Sequence, residues 1–181
     1  FIGNTSSILF DGVDDRMGGN TATGMSSDII SVAAQSFTVD MWYKWDSDQD
    51  ESEVVVFGLL EGSPYTDENF FRMTKAAGYS PYFNTNSSGP IDFIMTTHDP
   101  GDLYDKWNHF TLTRDSSDFR LYHNGIQVSS GTWSPGIQTH GGTDDVRLGI
   151  GGFFSGAYHF TGYLDEIRMN IGSVDKPQIK W

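Results

Sequence analysis

Residues 107–131 read WNHFTLTRDSSDFRLYHNGIQVSSG, from Trp107 to Gly131, and this stretch decides the fold. Trp107 to Arg114 alternates large apolar with polar residues, the period of two expected of a half-buried β-strand. Asp115-Ser116-Ser117-Asp118 is a turn cluster, because short polar side chains bond their own backbone there. Phe119-Arg120-Leu121-Tyr122 resumes the strand. Asn124-Gly125 follows, the pair that best tolerates positive φ in a two-residue hairpin. Ile126 to Ser129 then runs back. Three antiparallel strands in so short a span form a β-meander, which the rest of the chain must cover.

Working outward, Phe37–Trp45 is the clearest strand before the meander. Phe37, Val39, Met41 and Tyr43 share one face, and Thr38, Asp40, Trp42 and Lys44 share the other. The first face is the expected core, and Trp42 is then a large ring among polar residues. Ser6–Phe10, Asp28–Val32, Glu53–Leu60, Asn69–Thr74, Ser80–Asn84, Ile91–Thr96 and Val146–Gly151 are further predicted strands, and Tyr158–Ile171 is a closing strand pair or one long strand. Gly18 to Gly24 and Trp133 to Asp145 are predicted as loops. About a dozen short strands with essentially no helix predict an all-β, two-sheet antiparallel β-sandwich of jellyroll type. Residues 1–172 are expected to form it, with 173–181 as a C-terminal tail or linker.

Four blocks of sequence carry a family resemblance. The meander with its Asn-Gly turn is one. Ser7-Ile8-Leu9-Phe10-Asp11-Gly12 is an opening strand, Phe37 to Tyr43 a second block, and Phe160-Thr161-Gly162-Tyr163-Leu164-Asp165-Glu166-Ile167-Arg168 a closing F-x-G-x-[IL]-D-E-[IV]-R strand. In this order they resemble the LamG-like jellyroll (laminin G-like) domains of the concanavalin A-like lectin/glucanase superfamily. The fold hosts binding modules, enzymes and assembly subunits alike, so the resemblance alone leaves the ligand open.

Composition narrows the classes. The chain has 181 residues, ample for one domain with a sizeable core. Its formal charge of −13, from 24 acidic and 11 basic residues, repels phosphate backbones and anionic lipid, so nucleic acid is not an expected partner. No apolar run is long enough for membrane insertion as a helix. With no cysteine, disulfides and thiolate chemistry are excluded and the redox compartment cannot be read. The chain opens on Phe1, as expected of a mature form or a piece of a longer polypeptide.

Four candidate sites follow. The resemblance implies calcium where the first strand's turn meets the last strand, with Asp165 opposite Asp11 or the Gly12 carbonyl; the alternative is that both carboxylates bond backbone N–H groups. Asp46 to Glu53 spaces its acids like a calcium loop, but Glu51 stands where the sharp turn needs Gly, so a solvated acidic loop is expected. Related glucanases carry E-x-D-x-x-E on a strand; Asp48-x-Asp50-x-x-Glu53 has similar spacing but sits in a polar loop, and Asp165 and Glu166 would face opposite ways if extended, so no catalytic residue is assigned. The fourth is a sugar platform built from Trp42, Trp45, Tyr104 and Trp133, with Phe153 and Phe154 as further rings in a loop, since flat rings suit the C–H face of a pyranose. The alternative for each ring is packing under a loop or into another subunit. Of the five histidines, none has a partner at zinc spacing, and His109 is expected to be a structural hydrogen-bonding residue.

The expected function is a non-catalytic, calcium-assisted binding module for a glycan or another cell-surface ligand. The alternative is a virion surface, decoration or tail subunit, or an extracellular filament or adhesin component, partnered by other subunits of that assembly. Either places the chain outside the cell, on a cell surface or on a virion.

Overall fold

The computed structural model describes residues 6–15, 17–20, 36–47, 53–61, 67–74, 80–85, 93–94, 104–132, 146–150 and 159–172, with residues 18–20, 53–61, 67–74, 80–85, 93–94, 146–150 and 171 described by their backbone alone. The strands are β1 (Ile8–Asp11), β2 (Met17–Asn20), β3 (Phe37–Trp45), β4 (Glu53–Glu61), β5 (Asp67–Thr74), β6 (Ser80–Thr85), β7 (Phe93–Ile94), β8 (Asn108–Asp115), β9 (Asp118–His123), β10 (Ile126–Thr132), β11 (Val146–Ile150) and β12 (Thr161–Ile171). Among the described residues there is no helix. One six-stranded sheet runs β1-β12-β3-β8-β9-β10 and the other β2-β11-β4-β5-β6-β7. Every pairing between named strands is antiparallel, the arrangement of a jellyroll sandwich.

The meander folds as its alternation requires. Asn124 and Gly125 take φ of 49° and 76°, and Ile126 pairs with His123, so the turn has the expected two-residue form. Asn124 also ties the strands together. Its Oδ1 accepts from the His109 N–H at 2.8 Å, and its Nδ2 donates to Asn108 Oδ1 at 3.1 Å. The turn at Ser116 and Ser117 is braced locally and from another segment: Arg114 Nε donates to the Ser116 carbonyl at 2.8 Å, and Ser36 Oγ lies 3.4 Å from both the Ser116 N–H and Asp115 Oδ1.

One expectation changes, and of the two alternatives for the closing segment one holds. Gly18-Gly19-Asn20 belongs to strand β2, not to a loop. Glycine offers no side-chain alternation to read, yet the backbone pairs with β11 at the sheet edge. The closing segment is one strand, and it contains a bulge. Asp165 pairs with Trp42 and Arg168 with Asp40, so Glu166 and Ile167 together oppose Met41. Glu166 absorbs the extra residue with φ of 46°. The predicted strand Asp28–Val32, the loop Trp133–Asp145 and the tail 173–181 lie outside the described residues.

The apolar face of the first sheet is closely covered. Phe37, Val39, Met41, Tyr43 and Trp45 of β3 are each 0–2% exposed, with Phe110, Leu112, Phe119, Leu121, Leu164 and Phe10 beside them. Edge-to-face ring pairs join Phe37 with Phe119 and Phe10 with Phe160, both at 6.1 Å. The buried Tyr43 Oη of this layer lies 3.2 Å from His123 Nε2, and burial raises the phenol's pKa. Gly162, between Phe10 and Trp45 in register, has φ of 141°, and a Cβ there would overlap the Lys44 carbonyl oxygen. Only glycine fits at this close backbone approach.

Candidate functional site

The opposite face of the same sheet is polar, and its side chains fall into cross-strand rows. The first row joins Leu9 of β1, Tyr163 of β12 and Lys44 of β3. Trp107 stands just before β8, where the β3–β8 register brings it alongside Lys44. The rings of Trp107 and Tyr163 lie 6.4 Å apart at 57°, and Lys44 Nζ sits 5.6 Å from the Tyr163 ring centre. Trp107 is 42% and Leu9 57% exposed; Lys44 and Tyr163 are half-buried.

The second row is Asp165, Trp42 and His109. Trp42 is half-buried, its ring 4.9 Å from the His109 imidazole and tilted by 55°. The third is Arg168, Asp40, Thr111 and Tyr122. Three rings, Trp42, Trp107 and Tyr163, thus share one face and one end of it with Lys44 and Asp165.

A buried ionic network underlies the rings. Asp40 Oδ1 accepts from Arg168 Nη2 at 2.7 Å and from Nε at 3.2 Å, and His109 Nε2 lies 3.5 Å from the same oxygen. His109 Nδ1 is 3.4 Å from Thr111 Oγ1. Burial by itself would raise the Asp40 carboxyl, but hydrogen bonds from His109 and Arg168, with their charges, hold it below the ordinary carboxylate value. Asp40 and His109 are 8% and 3% exposed. They form a fixed floor, and Trp42 rests on it. The structural role expected of His109 is the one its contacts describe.

The acidic turn after β1 holds a separate cluster. Donor oxygens of Asp11, Asp14 and Asp15 all lie within 4.8 Å of one another. Asp15 Oδ2 accepts from the Asp11 N–H at 2.9 Å, and Asp11 Oδ1 from the Val13 N–H at 2.8 Å. Gly12 turns the chain with φ of 80°. The expected meeting of Asp11 with Asp165 does not form. Asp11 pairs with Thr161, four residues before Asp165 on β12, which is about 13 Å along a strand. Asp165 faces Trp42 instead, and its Oδ1 accepts from the Glu166 N–H at 2.8 Å.

Of the expected platform residues, Trp42 lies on the polar face. Trp45 is corrected to the core: it is 0% exposed and packs 4.9 Å from the half-buried Tyr104. It continues the odd-numbered series from Phe37, and the parity of the strand sends it inward. Trp133, Phe153, Phe154, and the Asp48 and Asp50 positions of the glucanase-like spacing lie outside the described residues. Trp107 and Tyr163 were not predicted as site residues. Their signal was the same as that of Trp42: an aromatic ring in phase with polar neighbours.

The family model described as the concanavalin A-like lectin/glucanases superfamily matches residues 18–180. Among solved structures, the CBM40 of a Ruminococcus gnavus IT-sialidase bound to α2,6 sialyllactose is similar, with a TM-score of 0.63 and 16% identity, covering 93% of this chain and 92% of that one. Domain 4 of AbnA, an extracellular GH43 arabinanase from Geobacillus stearothermophilus in complex with arabinotriose, gives 0.57 and 20% over 79% of this chain and 63% of that one. Domains LG4-5 of the mouse laminin α1 chain give 0.64 and 14% over 94% of this chain and 42% of theirs. The chain thus spans less than two thirds of the arabinanase and laminin chains. No curated protein matches it in sequence.

Proposed function

The chain belongs to the concanavalin A-like lectin/glucanases superfamily, and from that premise we propose that it is a non-catalytic carbohydrate-binding module acting outside the cell. The observation that carries this reading is the set of Trp42, Trp107 and Tyr163 on the polar face of the first sheet. Rings on that face cannot be accounted for by the core. Their flat apolar surfaces suit the C–H face of a sugar, while Lys44 and Asp165 beside them donate to and accept from hydroxyls. Two of the similar structures hold oligosaccharides, arabinotriose in one and sialyllactose in the other, which supports the ligand class.

A glycosidase needs a carboxyl kept protonated to donate to the leaving oxygen. Asp40, the buried acid among the described residues, is instead held ionised by Arg168 and His109. That supports binding without catalysis. The further proposal of calcium moves to Asp11, Asp14 and Asp15, whose three hard oxygens suit the ion with water completing its shell.

A glycan array probed with and without chelator tests the reading, followed by titration of Trp42→Ala and Trp107→Ala on the best hit. Each substitution is expected to weaken binding at least about fivefold, or about 1 kcal/mol. No glycan bound under either condition, or binding indifferent to both substitutions, rejects it. The second reading, an assembly subunit, is favoured by one observation. Edge strand β1 and its turn expose Ile8, Leu9 and Val13 at 41%, 57% and 71%. Light scattering after gel filtration separates the two, since an ordered oligomer favours assembly.

A further inference from the structure

Resting on the glycan-binding reading, we infer that this face selects uncharged oligosaccharides and rejects their carboxylated and sulfated counterparts. An acidic sugar is held by a guanidinium fork or an ammonium not already matched to a protein carboxylate. Among the described residues, the two arginines of this face are paired with carboxylates, and Lys44 is engaged by a ring. Arg168 commits Nε and Nη2 to Asp40 Oδ1 at 3.2 and 2.7 Å. Arg120 Nη2 stands 3.9 Å from Asp118 Oδ2. Lys44 lies over the Tyr163 ring, one row from Asp165. Glu166, exposed at the bulge, adds another negative charge beside Asp165. A ligand anion arriving here meets acids at least as numerous as bases, on a chain whose formal charge is −13.

Neutral hydroxyls meet no such obstacle. Arg168 keeps three N–H groups beyond those bonded to Asp40, Lys44 keeps its ammonium donors, and the second oxygen of Asp165 accepts. Lys44, Asp165 and Arg168, a donor, an acceptor and a donor, belong to three successive rows, as adjacent hydroxyls require. Trp42 and Trp107 stand on neighbouring strands in a diagonal relation, with Cα atoms about 7–8 Å apart, so two rings of an oligosaccharide can each find a platform. Asp40 is therefore a specificity-determining residue that acts through Arg168.

The test uses the full chain on an array printed with neutral oligosaccharides beside their sialylated, uronate and sulfated counterparts. Isothermal titration of each matched pair at low and high salt follows. The expected result is that the neutral member binds at least about tenfold tighter than its acidic counterpart, with its own Kd moving less than about twofold between the two salts. An acidic member that binds as well or better, and loses binding in Trp107→Ala, overturns the inference and leaves the glycan-binding reading standing. No glycan bound at all removes that reading and the inference with it. In Asp40→Asn the Arg168 charge is released, and discrimination is expected to narrow at least about threefold; discrimination unchanged in a variant that melts cooperatively refutes the role given to Asp40. If that variant fails to fold, the array on the parent chain remains decisive.

Discussion

Asp40 couples the stability of the protein to pH. Its carboxyl is held below the ordinary value of 3.8 in the folded state. The stabilisation is therefore fully present above that value and is lost as pH falls through the lower, folded one. Arg168 is 58% exposed and regains water when its partner is removed, so Asp40→Asn is expected to cost only about 1–2 kcal/mol at neutral pH. Below about pH 5 the parent should lose stability more steeply than the variant, and urea denaturation across that range measures the difference. At Gly162, alanine meets both an unfavourable φ of 141° and the Lys44 carbonyl. Gly162→Ala is expected to cost about 3 kcal/mol or more, seen as a fall in Tm of about 6–12 °C. Single residues also show where sequence reading stops. Parity along Phe37–Trp45 placed Trp42 outward and, carried one step further, places Trp45 inward. It does not place Arg168. Asp165 and Arg168 are an odd number of positions apart and should face opposite ways, yet the bulge at Glu166 returns both to the polar face.

At the scale of the element, the β9–β10 hairpin was readable because its turn chemistry is local. Asn124 tolerates the left-handed φ, and its amide spans β8 and β9. Asn124→Ala should lose both advantages, at about 2–3 kcal/mol, whereas Asn124→Gly keeps the conformation, loses the amide bonds and costs about 1–2 kcal/mol. Denaturant midpoints for the pair test this, and equal losses would show that only the hydrogen bonds matter. Strand β2 escaped because Gly18 and Gly19 carry no side chains to alternate; its place is set by the β11 backbone across from it. The meeting of Asp11 with Asp165 was carried over from resemblance, and the pairing of β1 with β12 fixes a different offset. Strand boundaries in the meander, in contrast, fell within three residues of expectation, because alternation and turn residues agree there.

For the molecule as a whole, the acidic balance and the cluster at Asp11, Asp14 and Asp15 predict a response to divalent cations. At a calcium concentration about a hundredfold above Kd, Tm should rise in proportion to about 2.7 kcal/mol of linkage, and a chelator should reverse it. Asp14→Asn with Asp15→Asn should abolish the response, and a rise in Tm that survives both changes would place the ion elsewhere. The strand order carries one more consequence. In each sheet a strand from the start of the chain lies beside one from its end, β1 next to β12 and β2 next to β11. While the polypeptide is being synthesised, β3 meets one neighbour, β8, once residues 108–115 have emerged, and its other neighbour, β12, only once residues 161–171 have. A growing chain must carry one edge of that strand open until then, which makes completion of this sheet late and exposes it to aggregation first.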